Sequence, residues 1–357
     1  MMKIGMLTSG GDCQALNAAM RGVVKALSNN VKDLTIYGFM NGYQGLIYGK
    51  YRLLTRNDFS GILTIGGTIL GSSRTPFKDI RKPDADGLDK VEAMKANYKK
   101  LKLDCLVILG GNGTQKTANL LREEGLNVIH LPKTIDNDIY GTDITFGFYS
   151  AVEIASHAID CIHTTAASHN RVFIVEVMGH KVGWLTLYAG VGSGADVILI
   201  PEIPYDIDSV VNGIKKRHEE GKNFTILAVA EGAISKETAK LPKKERKQKL
   251  SESIYPSVSY KIAAEIEEKT GMEVRVTVPG HMQRGGNPCI YDRILCTRLG
   301  SEAAAAIMDK DFGNMIAMVN GETTRVPLEN VAGKLKAVDP ESDMIKDIKR
   351  MGISFGE

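Results

Sequence analysis

Several protein classes are excluded by what this 357-residue chain lacks. Its five cysteines (Cys13, Cys105, Cys161, Cys289 and Cys296) are odd in number, and no two have C-x-x-C spacing. Neither a disulfide framework nor a zinc site is expected, and reduced thiols fit best. No apolar run reaches the ~18 residues of a membrane-crossing helix, so no membrane partner is expected. The opening MMKIGMLTSGGD has no apolar h-region. A secretory signal is therefore not expected, and the localisation expected is cytoplasmic. Charge of one sign is missing too. Forty-five basic residues against forty-two acidic ones leave +3, too even for a nucleic-acid coat. There is no internal repeat and no low-complexity tract. At 43% hydrophobic and 24% charged the composition is that of a globular protein, and the length predicts two domains. What is abundant is glycine, with 37 residues where a usage near ~7% is ordinary.

Apolar, β-rich runs at Lys3–Thr8, Leu34–Phe39, Asp104–Leu109, Asn127–Leu131, Arg171–Val177, Asp196–Ile200, Phe224–Ala230 and Glu273–Val278 predict strands. Helical patterns at Ala15–Ser28, Lys116–Glu124, Ala151–Thr164, Asp206–Glu219 and Ser257–Thr270 lie between them. This alternation predicts an α/β fold of parallel strands covered on both faces. Ligands of such folds sit at the carboxyl ends of the strands, and the glycines gather there. Ser9-Gly10-Gly11-Asp12 follows the first strand and Gly110-Gly111-Asn112-Gly113-Thr114 the third, with Gly66–Arg74 between them in sequence. The polar stretch from Lys236 to Ser257, with six basic residues in Lys240–Lys249, reads as a solvated insertion.

Two near-matches fail on context. GGNGTQKT at Gly110–Thr117 has Gln115 where a Walker A loop needs glycine, and Gly190–Ala195 precedes a strand instead of following one. The remaining glycine turns suit a phosphate chain held by backbone N–H groups at helix N-termini. Asp12 is open to a helix-capping role, and Gly110–Thr114 to a plain strand–helix turn. Asp136 and Asp138 alternate within Pro132-Lys133-Thr134-Ile135-Asp136-Asn137-Asp138, where a turn role for one is also open. One carboxylate could accept a sugar hydroxyl proton and the other hold Mg2+, while Lys133 and Thr134 face the transferring group. Arg171 and Arg275 are open to surface ion pairing as well as to phosphate binding, His281 and Arg284 between glycines after a strand suit a phosphate, and Glu231 could accept hydrogen bonds from a sugar or be a surface carboxylate.

Seven motifs in order, TSGGD, GGTILGSSR, GGNGT, PKTIDND, ASHNR, EVMG and PGHMQRGG, resemble those of the phosphofructokinase family. The resemblance implies two Rossmann-like three-layer α/β domains with the active site in the cleft between them. It places a nucleotide domain at residues 1–147 plus about 283–333. The sugar-phosphate domain takes 148–282 plus about 334–357, with the basic insertion at 236–257. The implied reaction is ATP-dependent phosphorylation of fructose 6-phosphate at its 1-hydroxyl, with Mg2+, in a homotetramer. Asp136 is the implied base, helped by Thr134 and Asp138. Gly11, Tyr43, Arg74, Thr75, Gly111, Asn112, Gly113 and Thr114 form the implied nucleotide site, and Asn112 and Asp138 the metal site. Thr134, Ile135, Asp136, Met178, Gly179, His180, Glu231, His281, Met282, Gln283 and Arg284 are implied to hold the sugar phosphate. Arg171 and Arg275 are implied to serve a neighbouring subunit's site. Asn112 stands where the family has aspartate and His180 where it has arginine; these departures leave a non-catalytic sensor as an alternative. Lys133 matches pyrophosphate-using relatives, while Gly113 matches ATP users, so ATP is favoured and pyrophosphate is the alternative donor.

Overall fold

Each of the eight expected strands forms, with ends shifted by no more than one residue. The computed structural model describes residues 1–357. In chain order the strands are β1 (Met2–Ser9), β2 (Leu34–Phe39), β3 (Tyr51–Leu54), β4 (Cys105–Gly110), β5 (Val128–Pro132) and β6 (Val172–Val177). They continue with β7 (Val197–Leu199), β8 (Thr225–Ala230), β9 (Val274–Thr277), β10 (Asn314–Val319) and β11 (Glu322–Pro327). Strands β3, β10 and β11 are additions to the expected set. The chain divides into two units, Met1–Ser150 with Arg284–Lys336, and Ala151–Gln283 with Ala337–Glu357.

The first unit holds a seven-stranded sheet ordered β11-β10-β5-β4-β1-β2-β3. Its five central strands are parallel, and an antiparallel strand closes each edge. Every residue of β4 and β5 is buried, as parallel strands covered on both faces must be. The core on one face gathers Leu7, Phe39, Leu46, Leu106, Ile108 and Leu121. Burying each such side chain contributes roughly 1.5–3 kcal/mol, which holds the strand ends, and hence the loops beyond them, in register.

The second unit carries an all-parallel sheet ordered β7-β8-β6-β9 over a core that includes Ile174, Leu199, Leu227, Val229 and Ile262. Its basic insertion folds as two short helices, Lys236–Lys240 and Lys243–Ser251. The second has no buried residue, which agrees with a solvated segment. Gly190 and Gly192 lie in the helix Trp184–Gly192, and Gly194 adopts φ +66° just after it. That run is a helix C-terminus, not a dinucleotide turn. No helix is long and apolar enough to cross a membrane.

Candidate active site

In the first unit the chain passes from β1 to β2 on one side and later returns to β4 on the other. The loops after β1 and β4 therefore part at the switch point of the sheet, where α/β folds open a crevice. Ser9 and Gly110 are register partners at that edge. A cavity of about 280 Å3 lies there, lined by the β1 loop (Ser9 to Gly11), Arg74 to Phe77, Gly111 to Thr114, Lys133, Thr134, Asp136, Asp138 and Arg284.

Backbone geometry builds one wall. Gly10 adopts φ +91°, a conformation that side chains disfavour. It is laced to the Ser72–Ser73 segment, donating its N–H to Ser73 O at 3.0 Å and accepting from Ser72 Oγ at 2.6 Å. The helix expected from Lys116 begins earlier, at Asn112, with Gly111 as its extended cap. The Gly111–Thr114 run is thus the helix N-terminus itself, whose free N–H groups and dipole attract anions. Gly113 lines the cavity with open space where a side chain would stand.

Side chains build the other wall. Lys133 is only 3% exposed, and burial pushes its ammonium below the usual lysine range. Arg284 donates to Asp12 O at 2.9 Å, with its guanidinium 3.0 Å from where a Gly11 side chain would begin. Asp136 and Asp138 flank Asn137, whose left-handed φ of +53° turns the chain between the two carboxylates. Asp136 also donates its backbone N–H to Thr134 Oγ1 at 3.0 Å. Two cations, two carboxylates and a helix N-terminus therefore surround one cavity.

Four expected contacts are revised. Tyr43 has no exposed surface and cannot touch a nucleotide; its hydroxyl donates to Thr114 O at 2.9 Å, supporting the loop from behind. Ile135 is likewise fully buried, so its side chain belongs to the core and not to a sugar site. Thr114 lines the cavity, but its hydroxyl donates to Ser9 O at 3.3 Å, so its proton is committed to the protein. Asp12 is exposed and caps nothing, since the following helix starts at Leu16 behind Ala15.

In the second unit the loops after β6, β8 and β9 carry the expected acceptor residues. Glu231, at the end of β8, accepts from the backbone N–H groups of Gly179 at 3.2 Å and His180 at 2.8 Å. Gln283 is buried, and its amide oxygen accepts from Met178 N at 3.1 Å. It positions the β6 loop and has no surface to offer a ligand. His180, His281 and Met282 are exposed. Arg171 and Arg275 both pair with Glu273. Arg284, expected with the sugar-phosphate residues, lines the first unit's cavity.

The family model described as phosphofructokinase matches residues 3–307. The chain belongs to the phosphofructokinase family. It is 55% identical to the ATP-dependent 6-phosphofructokinase of Spirochaeta thermophila, over 99% of this chain and 97% of that one. It is 46% identical to ATP-dependent 6-phosphofructokinase 3 of Bacteroides thetaiotaomicron, over 99% and 100%. Among solved structures, Pichia pastoris phosphofructokinase superposes with a TM-score of 0.81 at 33% identity. That match covers 93% of this chain but 35% of the yeast chain, so this phosphofructokinase spans about a third of it. A pyrophosphate-dependent phosphofructokinase from Nitrosospira multiformis has a TM-score of 0.82 at 19% identity, covering 99% and 92%, and shares the fold alone.

The phosphofructokinase family implies Mg2+, and two observations bear on the fit. Asn112 Oδ1 is a buried oxygen with no hydrogen-bond partner, while the amide's nitrogen donates to Lys334 O at 3.2 Å. Asp138 lines the same cavity. No cluster of three or more His, Cys, Asp or Glu side chains could hold a metal. The residues suit Mg2+, which accepts few protein oxygens and completes its shell with phosphates and water. The residue missed from the sequence is Lys336. It bonds to Asn137 Oδ1 at 2.9 Å under the loop that carries Asp136 and Asp138, yet belongs to no motif and lies some 200 positions downstream.

Proposed function

We propose that this phosphofructokinase transfers the γ-phosphoryl group of ATP to O1 of fructose 6-phosphate, giving fructose 1,6-bisphosphate and ADP in glycolysis. The observation that carries the reading is the convergence of Asp136, Lys133 and Arg284 with a helix N-terminus on one cavity. The near full-length relatives bearing the ATP-dependent name support it. The first unit is the donor domain, and the second, through Met178, Gly179, His180, Glu231 and His281, holds the sugar phosphate.

In this mechanism Asp136 accepts the proton of the sugar 1-hydroxyl as O1 attacks the γ-phosphorus. The new O1–P bond forms as the bond to the β,γ-bridging oxygen breaks, and ADP leaves with that electron pair. Lys133 and Arg284 face the charge that spreads over the transferred group, and the N–H groups from Gly111 onward hold the donor's phosphates in line. Asn112 and Asp138 would hold Mg2+, which neutralises charge on the donor's phosphoryl oxygens when bound. Gly113 favours ATP over pyrophosphate because its position is open where an aspartate would crowd the nucleotide. The enzyme works in the cytoplasm as a homotetramer, which sedimentation would read as four copies, with Arg171 and Arg275 serving a neighbouring subunit's site.

The test is a comparison of ATP and pyrophosphate as donors at fixed fructose 6-phosphate with Mg2+. A larger kcat/KM with ATP is expected, and a larger value with pyrophosphate overturns the donor assignment. Asp136→Asn should lower kcat by about 100-fold or more. Near-normal turnover in that variant removes Asp136 as the base.

A further inference from the structure

The segment Lys334–Lys336 lies beyond the residues matched by the family model and outside every sequence motif. It is nevertheless bound to both loops that carry the carboxylates and the phosphate-facing helix. Lys334 O accepts from Asn112 Nδ2 at 3.2 Å, Leu335 pairs antiparallel with Ile139, and Lys336 N donates to Asp138 O at 2.9 Å. The Lys336 ammonium donates to Asn137 Oδ1 at 2.9 Å, Thr142 O at 2.9 Å and Asp143 O at 2.8 Å. A lysine has three N–H donors, and these three oxygens converge on it from one turn of chain.

We propose that Lys336 is a positioning residue for phosphoryl transfer, locking the left-handed turn at Asn137 and thereby aiming the Asp136 and Asp138 carboxylates. Asn137 is the lever. It is only 4% exposed, and its side-chain oxygen also accepts from Thr145 N at 3.0 Å. Lys336 and Thr145 thus fix Asn137 from two sides, and the residues on either side of it are the proposed base and metal ligand. Asparagine tolerates left-handed backbone better than most residues but does not by itself hold it. Losing the ammonium releases three acceptors at once, with the turn free to relax. Reacting groups lose rate steeply when displaced by about 1 Å, even when ligand binding is little changed.

This inference rests on the phosphoryl-transfer reading above, and its test separates the two. The full-length chain, Lys336→Met and Lys336→Arg are compared in steady-state kinetics with ATP and fructose 6-phosphate. Hydrogen exchange is followed in parallel at residues 134–145 and, as an internal control, 105–110. Lys336→Met keeps the apolar stem without donors. Its kcat is expected to fall about 10- to 100-fold with both KM values within about threefold, while Thr145 N exchanges faster and the control strand does not. Lys336→Arg keeps N–H donors and should recover to within about fivefold of the parent. A kcat within about twofold of the parent, a loss carried by KM alone, or unchanged exchange at 134–145 overturns the proposal. If Lys336→Met does not fold, Lys336→Gln, with two donors on a shorter arm, reads the same split. A parent chain that transfers nothing from ATP refutes the function instead, and the exchange measurements still decide the role of Lys336.

Discussion

On the proposed reading, the two units prepare for an anion by different means. In the first, one cavity wall is backbone, with a left-handed Gly10 and a helix that begins inside the loop, and the other is made of side chains such as Lys133 and Thr134 at 3% and 6% exposure. In the second, the loop residues His180, Glu231, His281 and Met282 stand exposed, and Glu231 and Gln283 shape the β6 loop through its N–H groups. A polyphosphate offers repeating charge that backbone dipoles can meet, whereas a sugar offers hydroxyls that need individually placed acceptors. On the proposed reading, the first unit would meet its ligand with groups already buried and fixed, and the second with groups that stand in water.

The contrast breaks most visibly at Gly113. A Cβ there meets nothing within 4 Å and the residue is in the first helical turn, so Gly113→Asp should leave the fold intact. Its carboxylate would occupy the helix N-terminus meant for phosphate. We expect kcat/KM for ATP to fall by about 100-fold, equivalent to ~2.7 kcal/mol, with Tm within about 2 °C of the parent. Loss of Tm together with activity would mean that the loop is less independent of the core than its geometry implies. The second unit should respond more softly. Glu231→Ala frees the Gly179 and His180 N–H groups and should raise KM for fructose 6-phosphate by about tenfold, with kcat changed less. Glu231→Gln retains an acceptor oxygen and should cost less than the alanine variant. Equal losses in the two variants would assign Glu231 to direct charge contact instead of loop support.

The last effect is on stability, at the residue behind the loop that follows β4. His130 Nε2 lies 3.1 Å from Gly110 O, so the neutral ring donates there, while its buried Nδ1 has no partner. Burial pushes the imidazole down to about 3. Because the folded value lies below the ordinary 6.5, the unfolded chain takes up the proton first. This contribution to stability is complete above pH 6.5 and is lost as pH falls toward 3. His130→Gln should flatten the fall of the urea midpoint between pH 6.5 and pH 4; an unchanged slope would show that other groups dominate acid unfolding.

The parallel strands and their glycine loops were legible because their apolar runs have no solvent face to confuse the pattern. The strand β10, Asn314–Val319, was missed although it is buried, since its Met and Ala residues favour helix as readily as strand. Its hairpin partner β11 is a polar edge, yet a signal was present between them. Asn320 and Gly321 adopt φ +50° and +81°, the tight turn that Asn-Gly favours between paired strands. In the candidate site, residue types in motif order pointed to Asp136, Lys133 and Gly113. What they could not convey was depth: Tyr43 and Ile135 belong to the same motifs but face inward. Lys336 was invisible for another reason, since contacts made across some 200 residues leave no local spacing to read.

Glu273 has a consequence of its own. Its carboxylate pairs with both Arg171 and Arg275, whose side chains are 28% and 53% exposed. Such exposed pairs are weak, so if the two arginines meet a phosphate as proposed above, Glu273 would be the resident counter-ion that it displaces. An incoming phosphate would then be taken up by exchange. One carboxylate would leave as one phosphate enters, and the two guanidinium groups would never stand uncompensated between ligands.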